Sequence, residues 1–422
     1  MKKAIVAVIM VFVFALGVAA GDLFGGYIPL EPLKFNLADK IDTAEKKDDI
    51  DNKENANGEE KPEVESFSTA DSMTAEEKAR EILESMSLDE KIYQMMFVTP
   101  ESITNMGTCI QAGETTKNAI ESMPVGGIIY FDKNVQSKSQ LTEMISNTQS
   151  YSKIPLFIGV DEEGGTVRRL GDNPELAMTE VGDMADIGKK KDSLLCYETA
   201  KTIAAEISEF GFNVDFAPVC DVLTNDANTV VARRSFGSEA DLVAKMSLSF
   251  VNGLQDNNVS ACLKHFPGHG GTAGDTHEGY SENPGSKEDI LKNETEAFRA
   301  GIENGCDFVM MGHISVPALT GSTLPCSFSE AVVKQLLKDE FGFEGIVVTD
   351  ALNMGAVKNN YSVKNSAVMA ICAGNDMILM PENVTEAFEA IKGSIGDKIS
   401  EEQIDDSVMR ILKVKIKRGI IK

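Results

Sequence analysis

Two groups of residues in this chain have the types and setting that nucleophilic and acid–base chemistry require. Asp350 directly follows the apolar run Gly345-Ile346-Val347-Val348-Thr349. A carboxylate at the end of a buried strand is held rigidly, with its side chain at the strand's mouth. Asp275 and His277 stand two apart on a glycine-rich stretch that begins at Pro267. There Asp275 can accept a hydrogen bond from one imidazole nitrogen, fix the tautomer and raise the ring's pKa. The other nitrogen is then left to exchange a proton. A carboxylate nucleophile and a separate acid/base across the bond are what cleavage of a glycosidic linkage with retention needs. Each group also has a plainer alternative. Asp350 could cap a following helix, and the Asp275–His277 stretch could be a surface turn.

Further polar residues follow other apolar runs. They include Asp161-Glu162-Glu163-Gly164-Gly165 with Arg168-Arg169, then Asp215 and Asp221, Arg234, Lys264-His265, and His313. All four histidines of the chain (His265, His269, His277, His313) fall in this set. His265 and His269 have the spacing of two metal ligands on a helix. Pro267 and Gly268 lie between them, however, and no helix runs comfortably through that pair; no metal and no other cofactor is expected. A sugar suits the set better. Asp161 can grip hydroxyls while Arg169, Arg234, Lys264 and His265 donate around the ring. Any one of these could instead serve in a salt bridge.

The elements that position these residues are short apolar runs: 95–98, 126–131, 155–160, 213–218, 260–264, 308–311, 345–349 and 376–380. They alternate with helix-period segments such as 137–151, 194–210, 240–254, 288–304, 329–341 and 401–417. Runs without polar alternation indicate strands covered on both faces, as in parallel sheets. Eight of them separated by helices predict an α/β fold, a single (β/α)8 TIM-type barrel whose loops after the strands build the site. A doubly wound open sheet is the second choice, weakened because no GxGxxG opens a helix.

The barrel is expected over residues 72–422. Before it, 1–20 has a basic start, an apolar run over 4–20 and a small-residue end. It reads as an export signal or, if uncleaved, a membrane anchor. Residues 21–71, rich in Asp, Glu, Lys and Asn from about Asp42, form an acidic linker with too little apolar surface to fold. The expected location is therefore extracellular or at the cell surface, tethered if 4–20 stays in the membrane. A net charge of −26 argues against nucleic acid as a partner. The seven cysteines, with no CxxC pair, read as mostly free core thiols.

Taken together, these motifs resemble glycoside hydrolase family 3, in its β-N-acetylglucosaminidase branch. The stretch Lys264-His265-Phe266-Pro267-Gly268-His269-Gly270-Gly271-Thr272, with Asp275-Thr276-His277 downstream, carries the likeness. Supporting blocks are 161–169, 213–219, 234–237 and 348–354, so the resemblance covers the chain from about residue 75. It implies a monomeric barrel enzyme in which Asp350 forms a covalent glycosyl-enzyme and His277 with Asp275 is the acid/base dyad. It further implies that Asp161, Arg169, Arg234, Lys264 and His265 bind a terminal N-acetylglucosamine, and that the substrate is a cell-wall fragment. Departures from the family pattern fall at Glu162, Thr166 and Arg233. Alternatives are a β-glucosidase or β-xylosidase of the same family, an N-acetylglucosaminide phosphorylase, and a wall-binding protein without activity.

Overall fold

The eight apolar runs become eight parallel strands: β1 (Met96–Val98), β2 (Gly127–Ile129), β3 (Phe157–Val160), β4 (Val214–Asp215), β5 (Ser260–Phe266), β6 (Phe308–Met311), β7 (Ile346–Ala351) and β8 (Met377–Leu379). Each pairs with the next in sequence, and β8 closes on β1 through Met96 opposite Ile378. The sheet is thus a closed barrel, and the open doubly wound arrangement is excluded. This computed structural model describes residues 73–422 apart from 273, 275, 277, 278 and 280. The expected export segment (1–20) and acidic linker (21–71) lie outside the described residues, as do Asp275 and His277. No helix among the described residues is long and apolar enough to cross a membrane.

The barrel is filled, not hollow. Phe97, Phe157, Phe216 and Phe308 are fully buried and meet edge-on or stacked, with ring centroids 5.1–6.3 Å apart. Glycines make room for them. A methyl group at Gly159 would sit 2.7 Å from the Phe97 ring, so that strand position admits no larger residue. Below these rings the buried Lys415 reaches Gln94 Oε1 at 2.9 Å and lies 5.0 Å from the Phe157 centroid.

Local chemistry sets the ends of the outer helices. Thr74 and Glu77 form a reciprocal capping box at the start of helix Ala75–Ser85. Ser137 caps Lys138–Ser150, and Ser400 caps Glu401–Lys417. Two expected helices are different. The segment 288–304 is not one α-helix: a wide π-type turn, Ile290–Glu294, precedes helix Glu296–Glu303. Thr295 donates its amide to Ile290 O and its hydroxyl to Leu291 O, and these bonds widen that turn. The segment 329–341 is likewise wound with π-type spacing, over Ala331–Glu340.

Strand pairing is regular except where the polar residues stand. Between β5 and β6 the register slips between Leu263 and Phe266, the interval that holds Lys264 and His265. Between β7 and β8 it slips between Val348 and Ala351, the interval that holds Thr349 and Asp350. Such irregularities re-aim side chains at a barrel rim. Because of the first, β5 runs on to Phe266, past the expected end at Lys264.

Candidate active site

The loop after β3 is a tight antiparallel ribbon in which Glu162–Gly164 pairs with Val167–Arg168. Gly164 and Gly165 turn it with φ of 84° and 57°, values that disfavour other residues. In an extended segment alternate residues share a face, and so Asp161 and Glu163 act together. Lys264 places Nζ 2.8 Å from Asp161 Oδ1 and 2.6 Å from Glu163 Oε1. Arg234 closes a two-pronged pair on Glu163, with Nε at 2.7 Å and a terminal nitrogen at 2.8 Å. Burial alone would raise the Glu163 carboxyl, but Arg234 and Lys264 overcome that and hold it far below the usual range. Burial disfavours both cations too. Glu163 nevertheless drives Arg234 above its ordinary value, and Asp161 with Glu163 does the same for Lys264. All three groups therefore stay charged. The expected donors Lys264 and Arg234 are members of a fixed ionic network rather than free side chains, and Asp161 is its more exposed end.

Beneath this network the second carboxylate of the ribbon points the other way. Glu162 accepts the amides of Leu170 and Gly171 at 2.8 and 3.1 Å, tying down the end of the ribbon. Burial pushes Glu162 up to about 7. Asp215, fully buried at the end of β4, accepts the Glu162 amide at 3.0 Å, and burial pushes it well above the carboxylate range. Both are positioned as structural acids. Arg169 stands apart from the ionic network. Its guanidinium lies 5.6 Å from the Phe131 ring centroid, and its buried Nε has no hydrogen-bond partner among the described residues.

Asp221, fully buried, organises the start of the β5 loop. Its Oδ1 accepts the backbone amides of His265 (3.1 Å) and His269 (2.7 Å), and its Oδ2 lies 2.8 Å from His265 Nδ1. Burial would raise this carboxyl, but His265 and the hydrogen bonds outweigh it and keep the group ionised. The carboxylate can only accept, so Nδ1 of His265 carries the proton and the tautomer is fixed. His269 is held by Thr272 Oγ1 at 2.8 Å, and burial lowers its pKa against the pull of Asp221. The two imidazole rings are thus bound to separate partners. Among the described residues no cluster of three or more His, Cys, Asp or Glu is arranged to hold a metal ion.

Asp350 stands half-buried in the irregular end of β7, its Oδ1 accepting the Ala351 amide at 2.8 Å. The next helix, Gly355–Lys358, begins after Met354, so Asp350 is not its cap. His313 grips the backbone at this point. Its Nε2 lies 3.1 Å from the carbonyl oxygens of both Asp350 and Ala351, and Ser327 Oγ lies 2.8 Å from Nδ1. Two carbonyls can only accept, so Nε2 is the protonated nitrogen. Burial keeps the ring neutral, with a pKa below its ordinary value. The role of His313 is to fix the main chain beneath Asp350.

Thr276, which separates Asp275 from His277 in sequence, is buried and its carbonyl accepts the amide of Ala356 at 3.1 Å. The β5 loop is thereby joined to the segment that follows Asp350. Sequence reasoning missed Glu163 as the hub of the ionic network and Asp221 as the anchor of His265. The two-residue spacing of Asp161 and Glu163 was a usable signal for the first; nothing local signalled the second.

A closed parallel barrel with carboxylates, cations and imidazoles gathered at the carboxyl ends of its strands defines the class of a barrel enzyme. The family model described as glycosyl hydrolase family 3 N terminal domain matches residues 87–414. The chain belongs to glycoside hydrolase family 3. It is 32% identical over 298 residues to a β-hexosaminidase of Nitrosomonas eutropha, covering 70% of this chain and 84% of that one. It is also 32% identical to β-hexosaminidase A of Pseudoalteromonas piscicida, spanning 71% of this chain but only 54% of that relative. A solved family 3 β-N-acetylglucosaminidase from Paenibacillus sp. superposes with a TM-score of 0.75 at 36% identity, over 80% of this chain and 64% of that one.

Proposed function

We propose that this protein is a retaining exo-β-N-acetylglucosaminidase that releases terminal N-acetylglucosamine from cell-wall saccharides. Asp350 attacks the anomeric carbon, and the bond to the leaving oxygen breaks as His277 delivers a proton to that oxygen. Asp275 holds the other imidazole nitrogen. In the second half, His277 takes a proton from water, which attacks the same carbon and frees Asp350. Asp161, Arg169, Arg234, Lys264 and His265 bind the sugar, with the ionic network fixing Asp161, Arg234 and Lys264, and Asp221 fixing His265, before it arrives. One observation carries this reading: the Ala356–Thr276 hydrogen bond links the segment after Asp350 to the residue between Asp275 and His277. The β-hexosaminidase relatives support the choice of sugar. The apolar run over 4–20 supports action outside the membrane.

A panel of nitrophenyl glycosides tests the proposal. The β-N-acetylglucosaminide should be cleaved at least about 100-fold faster than the β-glucoside or β-xyloside, the contrast expected when a site is built around one polar substituent. Free N-acetylglucosamine should form with or without phosphate. Equal rates on the β-glucoside would overturn the sugar assignment, and release of a sugar 1-phosphate would replace hydrolysis by phosphorolysis.

A further inference from the structure

The β5 loop leaves the barrel at Gly268–Gly271 and returns at Asn283, and both ends meet one buried side chain. Glu294 lies on the wide turn ahead of helix Glu296–Glu303 and is only 3% exposed. Its Oε1 accepts the Thr224 hydroxyl at 2.6 Å, which brings in the loop after β4. A methyl group placed on Gly268 would stand 2.5 Å from Glu294 Oε2. One placed on Gly271 would stand 2.8 Å from Oε1 and 2.7 Å from Asn283 Nδ2. The outgoing strand of the loop therefore rests directly on the carboxyl and on the side chain of the returning strand. Asn283 is fixed in turn, its amide donating to Ser315 O at 2.9 Å beside the paired segments Ser281–Glu282 and Ile314–Ser315. Asn225 holds the outgoing side, with its amide on Gly270 O and its side chain on Thr272 O. Among the described residues neither Glu294 Oε2 nor Asn283 Nδ2 makes a hydrogen bond of regular geometry, although the Asn283 side chain and the Gly270 backbone lie close enough to favour the Glu294 carboxylate. Buried polar atoms left without regular partners at one spot call for an explanation.

We propose that Glu294 is a positioning residue: it clasps the neck of the β5 loop, and through the neck it sets where Asp275 and His277 stand relative to Asp350. This rests on the acid/base reading of His277 given above. Glu294 touches no reacting atom in this scheme. It acts by fixing the distance between the two ends of a loop whose middle carries the proton donor, and a small error there is costly. Burial pushes the carboxyl up to about 7, with the negative charge of Asp221 adding to it, so near neutrality the uncharged acid is well populated. Glutamine copies that form in shape and polarity.

The test compares wild type with Glu294→Ala, Glu294→Gln, Gly271→Ala and His277→Ala. Each is assayed on a dinitrophenyl and a methyl β-N-acetylglucosaminide, with a melting curve for every variant. The dinitrophenolate leaves without a proton; the methoxide does not. Glu294→Ala should lose at least about 30-fold on the methyl glycoside and less than about 3-fold on the dinitrophenyl one, a selective loss of acid catalysis. Glu294→Gln should recover both. Gly271→Ala, whose new methyl wedges the clasp open, should repeat the pattern of Glu294→Ala. A structural defect alone would lower both substrates together. If His277→Ala is selective for leaving group but Glu294→Ala is not, the clasp is wrong and the acid assignment stands. If His277→Ala shows no selectivity, the acid assignment fails and the clasp falls with it. Should Glu294→Ala not fold, Gly271→Ala decides: an unchanged ratio between the two substrates overturns the proposal.

Discussion

Replacing Glu163 by glutamine tests whether the ionic network is what builds the proposed sugar site. The side chain is buried and receives three charge-assisted contacts, two from Arg234 at 2.7 and 2.8 Å and one from Lys264 at 2.6 Å. Glutamine keeps the shape, but it removes the charge and turns an NH2 group toward one of the cations. Lys264 retains Asp161 at 2.8 Å, while Arg234 loses one prong of its pair and the charge that faced it. Removing one partner from a buried pair costs about 3–5 kcal/mol, because the charge left behind stays desolvated. For a domain of about 350 residues the unfolding entropy is about 0.7 kcal/mol per degree, so Tm should fall by about 4–7 °C. Because the folded-state carboxyl is depressed, its stabilisation is complete above about pH 4.5 and fades as the pH drops further. The Tm gap between wild type and Glu163→Gln should therefore be constant from about pH 5 to 8 and narrow below 4.5. Scanning calorimetry across that range, with KM for a β-N-acetylglucosaminide at pH 7, reads both effects. A gap under about 1 °C at pH 7 with unchanged KM would refute the idea that this carboxylate orders the two cations.

Asp350→Asn should lower turnover by roughly 10⁴-fold or more while calorimetry finds N-acetylglucosamine binding within about 10-fold of wild type; retained turnover removes the nucleophile assignment. Asp221→Asn should invert the His265 tautomer, seen by ¹⁵N NMR as a proton moved from Nδ1 to Nε2. Activity should fall by roughly 100-fold, because an amide NH2 cannot accept from Nδ1–H. An unchanged ¹⁵N spectrum would contradict the fixed-tautomer account. Lys415, buried with no carboxylate partner among the described residues, has its pKa brought down to about 7 from 10.5 by burial. Between those values the unfolded chain binds a proton that the folded chain lacks, so wild-type stability should rise with pH from about 7 to 10. Lys415→Met should lack that rise, and parallel Tm profiles for the two proteins over that range would argue against a charge-burial penalty.

The barrel was legible because its strands are buried on both faces, which leaves runs such as Ile346–Val348 and Phe308–Met311 with no polar interruption. The positions of Lys264, His265 and Asp350 at strand ends could be read the same way. Their aim could not, because it depends on register slips against β6 and β8, which are properties of strand pairs and not of one strand. The π-type winding at Ile290–Glu294 was hidden for a similar reason. It hinges on Thr295 bonding back to Ile290 and Leu291, while the surrounding pattern is amphipathic enough for an ordinary helix. Asp221 and Glu294 act through partners 44 and 70 residues away, His265 and Thr224, so no local spacing reveals them. Asp275 and His277 were read from a two-residue spacing and a family likeness. They lie outside the described residues, and their roles stand as the proposal made above.

Trapping the glycosyl-enzyme measures the main claim most directly. Wild type is treated with a 5-fluoro N-acetylglucosaminyl fluoride, whose good leaving group speeds formation of the covalent species while its ring fluorine slows release; the protein is then quenched, digested and mapped by mass spectrometry. One fluorinated N-acetylhexosaminyl group should appear on the peptide spanning Ile346–Ala351, fragmentation should place it on Asp350, and added N-acetylglucosamine should prevent it. A label on Asp161 or Glu163, or steady fluoride release with no labelled peptide at any time, would contradict a mechanism that passes through Asp350.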